Sequence, residues 1–138
     1  MDTISLDTAQ ALVSAALARA AADHGKPVCV AVCDAVGNLI AFARADGAPP
    51  RSIQLAQDKA YTAARMGTDT DAFHARLKRE EVQARDFGDA RLTALLGGAV
   101  LKGGAGQVIG GVGISGLASA EDHAIVQALA GRIASDSL

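Results

Sequence analysis

Three charged side chains near the middle of the sequence have the types and spacing for acid–base or anion-binding chemistry. Arg44 and Asp46 close a short apolar segment, and Lys59 lies thirteen residues beyond Asp46. An arginine can hold a carboxylate through two parallel hydrogen bonds, and a partly buried aspartate can serve as a general base. These three are the candidate catalytic residues. The alternative is structural: Arg44 and Asp46 support their own loop, and Lys59 extends along an alanine-rich helix face.

A glycine-rich segment in the last third of the sequence is the second candidate. Nine of the 15 glycines lie between Gly97 and Gly116. The run Gly111-Val-Gly-Ile-Ser-Gly116 matches the dinucleotide fingerprint, but only 22 residues follow it and their pattern is helical. Because no second strand can complete a βαβ unit, a dinucleotide site is not expected. The glycines are predicted instead to allow a close backbone approach.

The turn after this run can present backbone hydrogen-bond donors to an anion. A helix predicted to begin near Ser119 has free N–H groups and the positive end of the helix dipole. Ser115 and Gly116 lie just before it, so a carboxylate could dock there. Against this, Glu121 and Asp122 already place negative charge in the turn. Ser119 and Asp122 are also spaced nearly as in a capping box, so a purely structural role stays open.

The three histidines, His24, His74 and His123, have no spacing typical of a metal motif, and no metal ligands are assigned. Each of them could serve as an axial ligand to haem iron. Covalent haem attachment is excluded because the sequence contains no Cys-x-x-Cys-His motif.

The elements that must position these residues follow the order α-β-β-α-α-(β)-β-α. The predicted elements are a helix from Leu6 to Gly25, strands at Val28–Cys33 and Leu39–Arg44, a helix ending at Gly67, a charged helix capped by Thr68 or Thr70, strands at Ala99–Leu101 and Val108–Ile114, and a final helix from Ser119. Residues 84–96 fit a loop with a short helix or strand. Hairpin strands with helices around them predict an α+β fold on an antiparallel sheet, in one domain over residues 1–138.

The first predicted strand is apolar on both sides, which is typical of a strand covered on both faces. Val28, Val30 and Val32 fall on one side, and Cys29 and Cys33 fall on the other with Ala31 between them. Along an extended strand the two cysteine Cα atoms lie roughly 13 Å apart. That separation is too long for a disulfide, so both cysteines are predicted to be small buried residues.

Composition removes several classes of function. The net charge is −2, and aromatic residues make up 3% of the chain. Nucleic-acid binding is not expected, because it usually needs a basic surface or aromatic stacking platforms. The chain has neither an apolar run of 18 residues nor an apolar leader, so no membrane span is expected and the cytoplasm is the expected location.

The order of several motifs resembles the GlcG/HbpS-like family, also called the haem-degrading domain family, which includes the C-terminal domain of PduO-type corrinoid adenosyltransferases. The resemblance covers residues 6–136 and rests on Val28-Cys-Val-Ala-Val-Cys-Asp-Ala-Val-Gly-Asn-Leu39, Arg44-Ala-Asp-Gly-Ala48, Lys59-Ala-Tyr-Thr-Ala63, Gly97-Gly98, Gly113-Ile-Ser-Gly116 and Asp122. It implies a profilin-like α/β/α sandwich with a central antiparallel sheet, assembled into homo-oligomers. Some members look like haem binders, and others accompany the catabolism of small molecules.

The function expected from this resemblance is binding of a small anionic ligand, with haem as the expected cofactor and otherwise none. Arg44 or Lys59 would meet a propionate, and the Gly97-Gly98 and Ser115-Gly116 pairs would contact the ligand. One departure affects this site: the family often has Gly-Gly-Val-Pro where this chain has Gly-Gly-Ala-Val, followed by Leu-Lys. Two alternatives stay open. One is a cofactor-independent isomerase, tautomerase or hydratase acting on a small carboxylated or carbonyl compound; the other is a structural or regulatory partner.

Overall fold

The computed structural model describes residues 3–134, and its first element is the amphipathic helix that the sequence predicts. Helix α1 spans Leu6–His24. The Ser5 hydroxyl accepts a hydrogen bond from the Thr8 N–H at 3.2 Å and caps the first turn. Gly25 ends the helix in the left-handed conformation, with φ of 62°. Both predicted helix boundaries are therefore confirmed.

Four antiparallel strands form the central sheet in the order β2-β1-β4-β3. Their bounds are Cys29–Asp34 for β1, Leu39–Arg44 for β2, Gly98–Lys102 for β3 and Val108–Ser115 for β4. The first two strands form the predicted hairpin, and the last two form a second one. The two hairpins are joined by the pairing of β1 with β4, which no local sequence pattern indicates.

Three further helices surround the sheet. They are α2 over Ser52–Met66, α3 over Thr70–Glu80 and α4 over Ser119–Ala134, and a short 3₁₀ helix covers Ala84–Phe87. Residues 88–96 contain neither helix nor strand. Within the described part of the chain, none of the helices is both long and apolar enough to cross a bilayer.

The start of α3 differs from the prediction. Neither Thr68 nor Thr70 caps it, because the N-cap position belongs to Asp69. The Asp69 carboxylate does not cap the helix either, since it accepts a hydrogen bond from the Val100 N–H at 2.9 Å. The Thr70 hydroxyl accepts one from the Gly98 N–H at 3.0 Å. These two side chains therefore tie the helix start to strand β3, and in the first turn the Asp71 carboxylate accepts a hydrogen bond from the Ala72 N–H at 2.7 Å.

The sheet lies between two helical layers, which confirms the predicted α+β sandwich. The valines of β1 pack with α1 and α4 in the larger of the two buried clusters. Cys29, Ala31 and Cys33 face α2, where Ala56 and Ala60 meet them. Both cysteines are buried free thiols, as predicted. One face of the sheet is therefore packed with branched side chains and the other with small ones.

Candidate functional site

Helix α2 lies so close to strand β4 that only glycine fits at two strand positions. A Cβ atom added at Gly113 would lie 2.1 Å from the Ala56 carbonyl oxygen, and one at Gly111 would lie 2.3 Å from that of Ala60. Real Cβ atoms essentially never come this near to a backbone atom. Gly111 and Gly113 of the fingerprint-like run therefore allow the close backbone approach that the sequence predicts, here between helix and strand.

This close contact buries the amine of Lys59 against the end of β4. The residue is 3% exposed. Its Nζ donates a hydrogen bond to the Ile114 carbonyl oxygen at 2.9 Å and lies 3.4 Å from Asp122 Oδ2. The lysine is consequently not extended harmlessly along the helix surface; it is half of a buried ion pair.

Asp122 reaches Lys59 from the first turn of α4. Its second oxygen, Oδ1, accepts a hydrogen bond from the Leu117 N–H at 3.2 Å. The capping role expected of Asp122 falls instead to Glu121, whose carboxylate accepts from the Ala118 N–H at 3.2 Å. The capping pattern is thus shifted by one residue from the predicted one, and Asp122 is turned inward.

Burial moves the two partners of this ion pair toward their neutral forms. Desolvation lowers the pKa of Lys59, and the charge of Asp122 opposes that change. Desolvation also raises the pKa of Asp122, against the charge of Lys59 and the hydrogen bonds from Leu117 and Gly116. Proton exchange between the two groups is therefore easier than between the same groups in water.

A small cavity opens beside the ion pair, and we call it the Lys59 cavity. Its volume is about 150 Å³. The buried Ser115 hydroxyl donates to that of Ser52 at 3.1 Å on its wall. The lining residues are Arg51, Ser52, Leu55, Lys59, Leu95, Ser115, Gly116, Leu117, Ser119 and Asp122. Positively and negatively charged groups and three serine hydroxyls therefore surround a space suited to a molecule of a few heavy atoms.

Four of the predicted ligand contacts come together around the Lys59 cavity. Lys59, Ser115 and Gly116 line it. A Cβ at Gly97 would lie 2.9 Å from Lys59 Nζ, so this residue touches the amine. Gly98 lies one residue along and packs against the α2 backbone. Their roles in binding or catalysis stay predictions.

Arg44 and Asp46 are not among the residues that line the cavity. Arg44 is exposed, and its guanidinium donates to the Ala48 carbonyl oxygen at 2.8 and 3.1 Å, which supports the loop. Asp46 is exposed in that same loop. No sequence pattern could show that Asp122 and Ser52 line the Lys59 cavity in place of Arg44 and Asp46. Asp122 was marked by the acidic first turn of α4 and by its place among the residues that carry the family resemblance, but neither signal indicated contact with Lys59.

His123 and two aspartates form a cluster at the start of α3. Its atoms, contributed by Asp69, Asp71 and His123, lie within 4.8 Å of one another. His123 Nδ1 accepts a hydrogen bond from the Gly97 N–H at 3.1 Å. The neutral ring must then carry its proton on Nε2, which lies 3.2 Å from Asp71 Oδ2. A cation could use Nε2 only by displacing that proton, so the ring as placed does not fit metal binding.

His74 has the opposite arrangement. Its Nδ1 lies 3.1 Å from the Ala94 carbonyl oxygen. A carbonyl only accepts, so Nδ1 carries a proton, and in the neutral ring Nε2 then keeps its lone pair. The remaining histidine, His24, has its Nδ1 3.4 Å from Glu121 Oε2.

An open groove of about 460 Å³ lies beside His74, and we call it the His74 groove. It runs between α3 and the segment that follows it. The lining residues are His74, Leu77, Lys78, Glu81, Val82, Gln83, Ala84 and Ala94. The groove therefore combines an apolar surface, an imidazole with a free lone pair and an exposed cation.

Comparison with known proteins places these features in a family. The sequence matches the family described as "Haem degrading protein HbpS-like" over residues 4–130. No curated protein gives a significant match.

Several solved structures share the fold over nearly the whole chain. HbpS is 30% identical with a TM-score of 0.84, covering 95% of this chain and 90% of its own. A PduOC–haem complex is 29% identical with a TM-score of 0.82, covering 94% of each chain. Klebsiella pneumoniae ORFY is 25% identical with a TM-score of 0.84, covering 96% of this chain and 92% of its own. The chain therefore belongs to the HbpS-like family.

Proposed function

We propose that this protein binds haem in the His74 groove, with His74 Nε2 as an axial ligand to the iron. The observation that carries the proposal is the hydrogen bond between His74 Nδ1 and the Ala94 carbonyl, which leaves Nε2 free to bind iron. The related PduOC structure, described as a haem complex, supports haem as the ligand.

The other two histidines lack either a free ring nitrogen or a groove. His123 is 6% exposed, and its ring is held between the Gly97 N–H and the Asp71 carboxylate. His24 lies against Glu121 and lines none of the described cavities. Only His74, among the three, faces a groove large enough for a macrocycle.

The size and lining of the His74 groove suit a flat amphipathic ligand. Its volume of about 460 Å³ falls within the roughly 300–1,000 Å³ that ligand pockets of this kind occupy. Leu77, Val82 and Ala84 supply apolar contact, and the exposed ammonium of Lys78 is available for a propionate. The Lys59 cavity, at about 150 Å³, is too small for a porphyrin. A second open cavity, about 580 Å³ beside Phe42, has no histidine, cysteine or methionine in its lining.

Haemin titration followed by visible absorption tests the proposal. We expect a saturable Soret shift at one haem per subunit, weakened at least about tenfold in His74→Ala, which corresponds to about 1.4 kcal/mol. His24→Ala is the matched control, because it removes a partly exposed imidazole that lines none of the described cavities, and its titration should equal that of the unmodified protein. An unsaturable shift, or equal affinities for His74→Ala and His24→Ala, would overturn the assignment.

We also propose that residues 1–138 form one domain, that the protein assembles with copies of itself, and that it works in the cytoplasm beside the catabolism of small molecules. Strands β2 and β3 are the two sheet edges; Leu39, the first residue of β2, and Val36 in the turn before it are exposed. Edges and apolar groups of this kind favour pairing with another chain. Light scattering should give an oligomer mass; a monomer at micromolar concentration would contradict the assembly.

A further inference from the structure

We propose that the Lys59 cavity is a second site, separate from the haem groove, where Lys59 captures a small aldehyde or 2-oxo acid as an imine. The two sites have no lining residue in common. The proposal therefore does not depend on haem binding, and either one can fail without the other.

The surroundings of the amine meet the chemical requirements for imine formation. The attacking nitrogen must be unprotonated, and Lys59 becomes so by passing a proton to Asp122, whose Oδ2 lies 3.4 Å away. Burial supports this transfer, because desolvation disfavours the charged form of both groups. Lysines that form Schiff bases in other proteins are activated by desolvation of this kind.

The amine also retains a position from which it can react. An ammonium group has three N–H donors, and its described hydrogen bonds go to the Ile114 carbonyl and the Asp122 carboxylate. At Gly97 a Cβ would lie 2.7 Å from the Ile114 carbonyl oxygen, 2.9 Å from Nζ and 3.1 Å from the Asp122 Cβ. The absence of a side chain at this position keeps the space beside the nitrogen open.

The other groups of the cavity define the class of ligand. The paired hydroxyls of Ser52 and Ser115 can donate to a carbonyl or hydroxyl oxygen. Arg51 is an exposed cation in the lining and can meet a carboxylate. Asp122 disfavours an anionic group directly beside Lys59, so the uncharged carbonyl carbon is expected next to the amine and the carboxylate next to Arg51.

The protons and electrons of the proposed imine formation are all supplied by Lys59, Asp122 and the carbonyl compound. The Lys59 ammonium gives one proton to Asp122, and the Nζ lone pair forms a bond to the carbonyl carbon while the C=O π electrons move to oxygen. That oxygen takes a proton from Asp122, which becomes a carboxylate again, and the nitrogen loses one of its own protons to the leaving hydroxyl. Water departs as the C=N bond forms. The product is a protonated imine whose remaining N–H can donate a hydrogen bond to the Asp122 carboxylate. Neither an oxidant nor a reductant is consumed.

Reductive trapping with pyruvate and sodium cyanoborohydride at neutral pH tests the proposal. Pyruvate is a ketone that labels ordinary surface amines slowly, and the chain has only four lysines, of which Lys26, Lys78 and Lys102 are exposed. We expect one adduct, located at Lys59 by peptide mass spectrometry, at least tenfold above the labelling of any other lysine. The variant with Lys26, Lys78 and Lys102 all changed to Arg should retain it.

Two variants separate an imine site from a buried ion pair of purely structural value. Lys59→Arg keeps the positive charge beside Asp122 but cannot form an imine, so the adduct should disappear. Gly97→Ala brings a methyl group within 2.9 Å of the amine and should reduce labelling; because it also meets the Ile114 carbonyl oxygen at 2.7 Å with φ of +118°, circular dichroism must show that the fold is kept. Labelling at Lys59 no greater than at Lys26, or no adduct in the triple-arginine variant, would overturn the proposal. That variant leaves the cavity intact, so the test does not depend on whether Lys59→Arg folds.

Discussion

Substitution of Gly113 by alanine tests whether close helix–strand contact determines the fold. The added Cβ would lie 2.1 Å from the Ala56 carbonyl oxygen and 2.6 Å from the Ala60 nitrogen. To restore an ordinary contact of 3.4 Å, α2 must withdraw by about 1.3 Å. Overpacking of this kind costs about 1–3 kcal/mol. We expect the upper end of that range, because the obstructing atoms belong to backbone that cannot rotate away.

Two smaller effects modify this value. Withdrawal of α2 would stretch the 2.9 Å hydrogen bond from Lys59 to Ile114, worth about 1 kcal/mol. Alanine also restricts the unfolded chain, which returns about 0.4–1 kcal/mol. The expected net loss in the free energy of unfolding is therefore about 3 kcal/mol.

Urea unfolding followed by circular dichroism measures this loss, as a lower midpoint with an unchanged slope. Gly131→Ala is the matched control, because Gly131 lies exposed on α4 and a Cβ there would meet nothing within 4 Å. That control should gain about 0.5–1 kcal/mol, since alanine favours a helix over glycine. If Gly113→Ala loses less than about 1 kcal/mol, close contact with α2 is not the reason for glycine at this position.

Three further predictions concern the ion pair, the thiols and the first helix. Lys59→Met should lower the free energy of unfolding by about 3–5 kcal/mol in urea titrations, because Asp122 is left charged and buried; a loss below about 1 kcal/mol would show that the pair contributes little. Burial raises the pKa of Cys33 to about 12 and also raises the pKa of Cys29. A colourimetric thiol reagent at pH 8 should therefore detect no thiol in the native protein and two in urea, and rapid native reaction would contradict this. Ser5→Ala should cost about 0.5–2 kcal/mol by thermal or urea unfolding, and an unchanged midpoint would mean that the cap is dispensable.

The elements that the sequence predicted well are those defined by local patterns. The alternation in Val28–Cys33 indicated a strand covered on both faces, and the structure shows valines on one side and small residues on the other. Gly25 and Gly67 marked helix ends because a left-handed residue there favours glycine, and both have φ near 60–70°. Segment 84–96 lacked periodicity, and it holds only one short 3₁₀ helix.

The composition of the candidate site could be predicted only in part, because its partners are far apart in sequence. Lys59 and Asp122 are separated by 63 positions, and they meet because β4 pairs with β1 and delivers α4 beside α2. Arg44 and Asp46 were favoured by their place at the end of β2, but nothing local could show that Arg44 turns to the Ala48 carbonyl. Sequence patterns identify strand ends, whereas tertiary packing decides which ends meet.

The packing of α2 on β4 connects the amino-acid composition of the chain with the sizes of the Lys59 cavity and the His74 groove. The sequence has 31 alanines and only 3% aromatic residues. Alanines on the helix facing glycines on the strand bring two backbones close together and leave no space between them for a large ligand. The Lys59 cavity lies at the end of this contact, where Lys59 and Ser115 line it. The proposed haem site is accordingly outside the sandwich, in the groove beside α3.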